Sequence, residues 1–139
     1  MAELSFASVR VGDTLPPLTV PALDRTTLAL FAGASGDHFP YHIDTDAARK
    51  AGMADVIGHG MLSMAYLGRL IIRWVPQAAL RRLDVRFVRI THLGNVITCT
   101  GMIMEKEERD GEKLVRVEIQ AADQFGEVKT AGEALLALP

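Results

Sequence analysis

The chain has 139 residues, a length that suits one domain and leaves little room for a second. Hydrophobic residues make up 49% and charged residues 23%, which is ordinary for a globular protein, and the net charge of −2 gives no broad basic field for nucleic acid or an acidic membrane. Cys99 is the single cysteine, which excludes an internal disulfide and fits a reducing compartment.

The first residues do not have the pattern of a targeting segment. Residues 1–13 contain no basic stretch followed by an apolar run, so a secretory signal peptide is not expected. The longest apolar stretch, residues 61–75, is interrupted by a serine, a glycine and two arginines, whereas a membrane span needs about 20 mostly apolar residues. We therefore expect a cytoplasmic protein that has neither a membrane nor a nucleic acid as its partner.

The first part of the chain predicts one short strand and one helix. Residues 1–12 are expected to be irregular, and residues 14–20 to form an edge strand, because the two prolines in them cannot donate hydrogen bonds to a central ladder. Asp24 is a suitable N-cap for the following helix. Glycines at positions 33 and 36 indicate where that helix frays into a loop.

The loop that follows carries the first candidate site. The stretch FAGASGDHFPYHID, residues 31–44, places Asp37 and His42 on either side of Pro40. If the two side chains converge, an imidazole and a carboxylate form an acid/base pair suited to neutral pH. The alternative is structural, since Asp37 could cap a turn while His42 bonds to the backbone.

Two further helices are predicted, and the second opens on a candidate anion site. Asp44 or Thr45 should cap a short helix that Gly52 stops. The next helix runs from His59 or Gly60 to Val75, is apolar nearly all round, and is therefore expected to be buried. Backbone N–H groups at its start lie at the positive end of the helix dipole and could hold an oxyanion, although a simple helix start explains the glycine equally well.

Other chemistries have weaker signals. The residue types His38, His42, Asp44 and His59 suit a metal ion, but no helical ligand pairing accompanies them, and no metal site is expected. Ser63 lacks the sequence context of a nucleophilic serine. Cys99 is predicted to lie in a sheet interior as a core residue.

The remainder of the chain has the alternating pattern of β-strands. Strands are predicted around residues 83–87, at 96–105, at 115–121 and at 128–138, with a hairpin turn at Asp110-Gly111. Strands joined by short turns form antiparallel sheets. The order predicts an α+β domain with the hotdog fold, in which an antiparallel sheet of about five strands wraps around a long central helix. The free edge of such a sheet predicts a homodimer or a heterodimer of hotdog chains.

Two motifs together resemble a known family. The pattern F-A-x-x-S-G-D-x-x-P-x-H-x-D begins at Phe31, and I-x-H-G-M-L begins at Ile57. They resemble the MaoC-like (R)-specific enoyl-thioester hydratases and (3R)-hydroxyacyl-thioester dehydratases of the single-hotdog type. The likeness extends over most of the chain, from an N-terminal V-G-D to a closing G-x-A-x-x-x-L-P.

The resemblance implies a reaction and assigns residues to it. Asp37 and His42 match the catalytic pair, and Gly60 matches the glycine whose N–H binds the thioester carbonyl, with His59 and Met61 beside it in the substrate-binding segment. The implied reaction is reversible hydration of a trans-2-enoyl thioester of CoA or acyl carrier protein to a (3R)-3-hydroxyacyl thioester, with no cofactor and no metal. Two alternatives share the fold: a non-catalytic subunit that lends acyl-binding surface to an active partner, and a thioesterase.

Two positions depart from the family pattern. Phe39 stands where the family usually has an asparagine before the loop proline, which predicts weaker bracing of the loop. Gly68 stands where many members have a serine that steadies the catalytic aspartate, which predicts the loss of one supporting hydrogen bond. Gly68 is also predicted to widen the tunnel for a bulky acyl group.

Overall fold

A curled antiparallel sheet packed on one long helix forms the framework of the protein in a computed structural model that describes residues 4–139. The helices are α1 (Arg25–Ser35), α2 (Thr45–Lys50) and α3 (Gly60–Ile72). The strands are β1 (Leu18–Thr19), β2 (Leu80–Phe87), β3 (Thr98–Arg109), β4 (Glu112–Ala122) and β5 (Val128–Ala137). This confirms the predicted α+β class, the hotdog fold and the number of strands.

The sheet order is β1-β3-β4-β5-β2, and every neighbouring pair is antiparallel. The β3–β4 hairpin turns at Asp110 and Gly111, which have φ of 54° and 79°, the left-handed backbone that a two-residue turn requires. β2 precedes β3 in the chain but lies beyond β5, at the far edge of the sheet. Residues 88–97 therefore cross the domain to connect the two strands.

The strands β2, β3 and β4 begin or end a few residues from their predicted bounds, and three further differences concern other parts of the chain. The strand expected at residues 14–20 shrinks to Leu18–Thr19, because the two prolines before it donate no hydrogen bonds to the sheet. α3 ends at Ile72 rather than Val75, since the N–H groups of residues 74 and 75 both donate to the carbonyl of Ile71 and tighten the last turn. Residues 1–12 were expected to be irregular, but Phe6–Ser8 form a 3₁₀ turn. Residues 1–3 lie outside the part of the chain that the structure describes.

α3 is buried on one face only, which corrects the prediction of a helix buried all round. Leu67, Leu70 and Ile71 are at most 2% exposed and pack into the core against the sheet. Met61 and Ile72 lie on the other face and are 53% and 47% exposed. A single sheet covers one side of a helix, so an apolar stripe remains uncovered on this chain. No helix among residues 4–139 has the length and apolar character needed to cross a bilayer.

The loop before α3 is fixed by an ion pair. Arg25 Nη2 lies 2.6 Å from Asp55 Oδ2, and Asp55 also accepts hydrogen bonds from the Thr45 hydroxyl and the Val56 N–H, at 2.9 and 2.7 Å. The hydrogen bond from Arg25, followed by those from Val56 and Thr45, lowers the pKa of Asp55 to about 2. Because the folded state favours the charged form, Asp55 stabilises the fold above its ordinary pKa, and this contribution is lost as the pH falls through about 2.

An Asp55→Asn variant should therefore melt at a lower temperature than the wild type at neutral pH. The difference should shrink as the pH falls from about 4 to about 2, since the folded wild type takes up its proton around the latter pH. Thermal melts at a series of pH values measure this. Glu108→Gln is the control, since Glu108 makes no ion pair among the described residues. A difference that persists unchanged at pH 2 would contradict the assignment.

Candidate active site

The end of α1 determines how the Asp37 loop leaves the helix. Gly36 has φ 77°, a left-handed cap that turns the chain, and its N–H donates to the carbonyl of Ala32. Ser35 then accepts a hydrogen bond from the Asp37 N–H at 3.2 Å. Pro40 opens a 3₁₀ turn that ends at His42 and directs the chain back toward Asp37. The glycine, serine and proline of the motif thus determine the approach of the two candidate groups.

Asp37 and His42 do converge. Their Oδ2 and Nε2 atoms are 4.0 Å apart, and the side chains are 45% and 12% exposed. His42 Nδ1 lies 2.8 Å from the carbonyl oxygen of Ile57. Since a carbonyl only accepts, Nδ1 carries the proton there, and in the neutral form of the ring Nε2 is the unprotonated nitrogen that faces the carboxylate.

His59 lies directly beneath this pair. Its ring stacks on that of His42 with centroids 3.9 Å apart and planes at 23°, and its Nε2–H donates to the backbone carbonyl of Asp37 at 3.1 Å. The side chain is 1% exposed. Burial, as the largest cause, lowers the pKa of His59 below its ordinary value. His59 lines neither of the clefts described below, so the predicted substrate contact does not fit its position.

The same three residues have ligand atoms within 4.8 Å of one another, a spacing that raises the question of a metal ion. Imidazole lone pairs lie in the ring plane, and two rings stacked face to face do not direct them at one point. His38 and Asp44, considered as ligands from the sequence, are used elsewhere. His38 hydrogen bonds to the Gly36 carbonyl, and Asp44 caps α2 as predicted. The geometry therefore favours proton transfer over metal binding.

Gly60 begins α3 beside the pair. No side chain caps the helix, and the Gly60 N–H has no protein acceptor among residues 4–139. A Cβ at this position would lie 3.1 Å from the ring of Phe87, so glycine allows the close approach of that ring. A cleft of about 340 Å³ opens here, with His42, Gly60, Phe87, Arg89 and Thr91 among its lining residues.

A second cleft adjoins Asp37 from the other side. It measures about 490 Å³ and runs along the exposed apolar face of α3, lined by residues that include Phe31, Asp37, Met61, Gly68 and Leu83. The acid/base pair therefore contacts both clefts, since His42 lines the one at the helix start and Asp37 lines the one beside the helix. Gly60 and Met61, neighbours in the predicted substrate-binding segment, face different clefts.

The structure also shows features that the motifs did not predict. Residues 87–91 form a wall of the first cleft, although nothing in their sequence marks them, since they are the last residue of β2 and the connection after it. Phe39, one of the departures from the family pattern, donates its N–H to Asp37 Oδ1 at 3.2 Å and packs its ring edge-on against Tyr41. Cys99 is fully buried, and burial raises its pKa to about 12, in agreement with its predicted place in the core.

Comparisons with known proteins bear on the family and the fold of the chain. The family model described as "MaoC like domain" matches residues 6–124. A mitochondrial 3-hydroxyacyl-[acyl-carrier-protein] dehydratase of Arabidopsis thaliana is 28% identical over 142 residues, which cover 97% of this chain and 84% of that protein. A "UPF0336 protein" of Streptomyces griseus is 31% identical over 127 residues, covering 85% of each chain.

Among solved structures, the unliganded R-hydratase PhaJ1 of Pseudomonas aeruginosa superimposes with a TM-score of 0.83 at 29% sequence identity. The superposition covers 97% of this chain and 85% of that one. The fold and the sequence therefore lead to the same group of proteins.

Proposed function

Because the chain belongs to the MaoC-like domain family, we propose that it is a hydro-lyase that adds water reversibly across the double bond of a trans-2-enoyl thioester. The product is a (3R)-3-hydroxyacyl thioester of CoA or of acyl carrier protein. Membership supports this chemistry at a general level, as do the similar R-hydratase and 3-hydroxyacyl dehydratase. The roles given to individual residues below are part of the proposal.

The observation that carries the proposal is the 4.0 Å separation of His42 Nε2 and Asp37 Oδ2. This is too long for a direct hydrogen bond, which spans about 2.6–3.2 Å, but one water oxygen can contact both atoms. In the neutral form of His42 the unprotonated nitrogen is Nε2, because Nδ1 carries the proton that is donated to the Ile57 carbonyl. The pair can hold a water molecule and accept its proton.

The reaction follows from this placement. The water oxygen bonds to C3 of the enoyl group, the pair takes a proton from the water, and the pair returns a proton to C2. Negative charge develops on the thioester oxygen between these steps. The Gly60 N–H, at the positive end of α3 and open to the first cleft, is placed to receive that oxygen. The thioester itself delocalises the charge, so no cofactor is needed.

The test is an absorbance assay for loss of the enoyl thioester across CoA substrates of increasing chain length. Consumption of crotonyl-CoA or a longer enoyl-CoA, with formation of the (3R) product, is the expected result. Release of free thiol instead would show a thioesterase. A protein that is inert alone and active only with an added partner chain would be the non-catalytic subunit.

We also propose that a second hotdog chain, identical or related, pairs with this one. β2 is an edge strand whose outer side pairs with no other strand among residues 4–139, and edge strands commonly pair with another copy. The exposed apolar stripe on α3 that carries Met61 and Ile72 is further surface that a partner could cover.

Gly68 offers a test of substrate size. A Cβ there would have only Leu83 Cδ2 near it, at 4.0 Å, so the second cleft is open at this point. We expect Gly68→Leu to lower kcat/KM for long or ring-bearing enoyl-CoAs by roughly tenfold or more, since one methylene in an apolar pocket changes the rate by about that factor. Crotonyl-CoA should be hydrated at the wild-type rate.

Gly68→Ala is the matched control, because one methyl group fits the open space without contact closer than 4.0 Å. Equal losses for crotonyl-CoA and for long substrates in Gly68→Leu would show that the cleft does not hold the acyl chain.

A further inference from the structure

We propose that His59 is a positioning residue for the hydration reaction, a buried imidazole that holds the main chain of Asp37 by a hydrogen bond and the ring of His42 by stacking. The inference rests on the proposed function and adds a role that the two reacting side chains do not supply themselves. It also gives His59 a different role from the substrate contact that the family resemblance implied.

The His59 side chain is buried away from both clefts and contacts Asp37 and His42 instead. The side chain is 1% exposed and lies between two rings: Phe31 meets it edge-on with centroids 4.8 Å apart, and His42 stacks on it at 3.9 Å. Each neighbour restricts the tilt of the imidazole. The stacked ring of His42 is in turn restricted on the side that faces His59.

One short segment holds both members of the pair. His42 Nδ1–H donates to the carbonyl of Ile57, and His59 Nε2–H donates to the carbonyl of Asp37. Ile57 and His59 are two residues apart, immediately before α3. α3 is packed in the core, whereas the residues of the Asp37 loop are largely exposed. The two hydrogen bonds therefore attach the loop to the start of a well-packed helix. The 4.0 Å gap that accommodates water depends on both.

The charge state of His59 suits this role. The titratable groups that face it are Asp37 and His42. Burial lowers the pKa of His59 most; the hydrogen bond to the Asp37 backbone raises it, and the nearby His42 lowers it. A neutral His59 can lie against His42 when that ring takes a proton from water, whereas two stacked cations would repel each other.

The unused nitrogen of His59 argues against a purely structural role. Nδ1 is buried and has no hydrogen-bond partner among the described residues. An unsatisfied buried polar atom costs about 1–3 kcal/mol, and a phenyl ring would fill the same space without that cost. Packing alone does not account for an imidazole here. The Nε2–H donor toward Asp37 does.

Two variants separate the contacts of His59. His59→Phe keeps a stacking ring and loses the donor to Asp37, whereas His59→Gln keeps an amide donor near the position of Nε2 and loses the ring. We expect kcat to fall by about a hundredfold in His59→Phe and by about tenfold or less in His59→Gln, with KM within about twofold of wild type in both. Thermal melts should place both variants within a few degrees of wild type.

His92→Gln is the matched control, since His92 is exposed and its side chain lines neither cleft. A wild-type kcat in His59→Phe would overturn the inference. The inference would also be overturned if kcat fell only in proportion to the melting temperature of each variant, or if KM alone changed.

A second readout keeps this test apart from the proposed function. Nitrogen-15 NMR of the histidine side chains reports the tautomer of His42 whether or not the protein turns over a substrate. The proton is expected on Nδ1 in the wild type, with mixed tautomers in the His59 variants and no change in His92→Gln. A wild type that hydrates no enoyl thioester would reject the proposed function. Independently of that result, His42 signals that are identical in the wild type, the two His59 variants and His92→Gln would reject the positioning role.

Discussion

Replacing either member of the acid/base pair should nearly abolish hydration. In Asp37→Asn the amide fits the same space but no longer bears a charge, and in His42→Ala the base that faces the water position is removed. Positioned general acid/base groups contribute about 10²–10⁴-fold to rate. We expect kcat/KM for crotonyl-CoA to fall by about a thousandfold in each variant, equivalent to about 4 kcal/mol of transition-state stabilisation.

The double variant should lose little more than either single one, because the two groups act on one water molecule. The matched control is His38→Ala. This histidine lies in the same loop, but its ring is exposed and turned toward the Gly36 carbonyl. Activity near the wild-type level in either single variant, with circular dichroism showing an intact fold, would refute the proposed mechanism.

The largest effect on stability is expected at Gly132, in the middle of β5. A Cβ there would lie 1.9 Å from the carbonyl oxygen of Asp84 and 2.7 Å from Cα of Val85, both in the main chain of β2. Backbone atoms cannot rotate away, so Gly132→Ala must push β2 from β5. We expect a loss of about 3 kcal/mol, at the upper end of the usual cost of overpacking, and a melting temperature lower by roughly 10 °C.

The consequence should reach the active site as well. β2 ends at Phe87, whose ring packs against Gly60 in the wall of the first cleft, so a displaced β2 should also raise KM. Gly33→Ala is the control, since a Cβ at that position of α1 would meet nothing within 4 Å and alanine favours a helix. Equal melting temperatures for Gly132→Ala and the wild type would show that the strands accommodate the methyl group.

Local sequence signals were sufficient wherever neighbours in the chain determine the conformation. The Asp24 cap, the end of α1 at Gly36 and the turn at Asp110-Gly111 lie where the sequence predicted them, and Asp44 is one of the two caps predicted for α2. These features depend on short-range hydrogen bonds and on φ. The motif at residues 31–44 also marked Asp37 and His42 as a candidate pair, but whether they meet depended on the loop between them, and the structure brings their side chains to 4.0 Å.

Long-range contacts could not be predicted in this way. Lys129 is 1% exposed and paired with Asp123 and Glu127, although a lysine in a strand pattern is normally expected to face water. The place of β2 at the far edge of the sheet depends on its pairing with β5, about 50 residues later in the chain. The exposed stripe of α3 exists because the sheet covers only one side of the helix, a fact that the residue pattern of the helix does not contain.

The sequence by itself determined the class of fold, the candidate acid/base pair and the glycine at the helix start, because each depends on residue type and local spacing. The tertiary structure decided what surrounds them: the 4.0 Å gap, the wall at residues 87–91, and the burial of His59 against the ring of His42. The physical reason is distance along the chain. His59 is 22 residues from Asp37, and no local rule brings an imidazole and a carbonyl together across that separation.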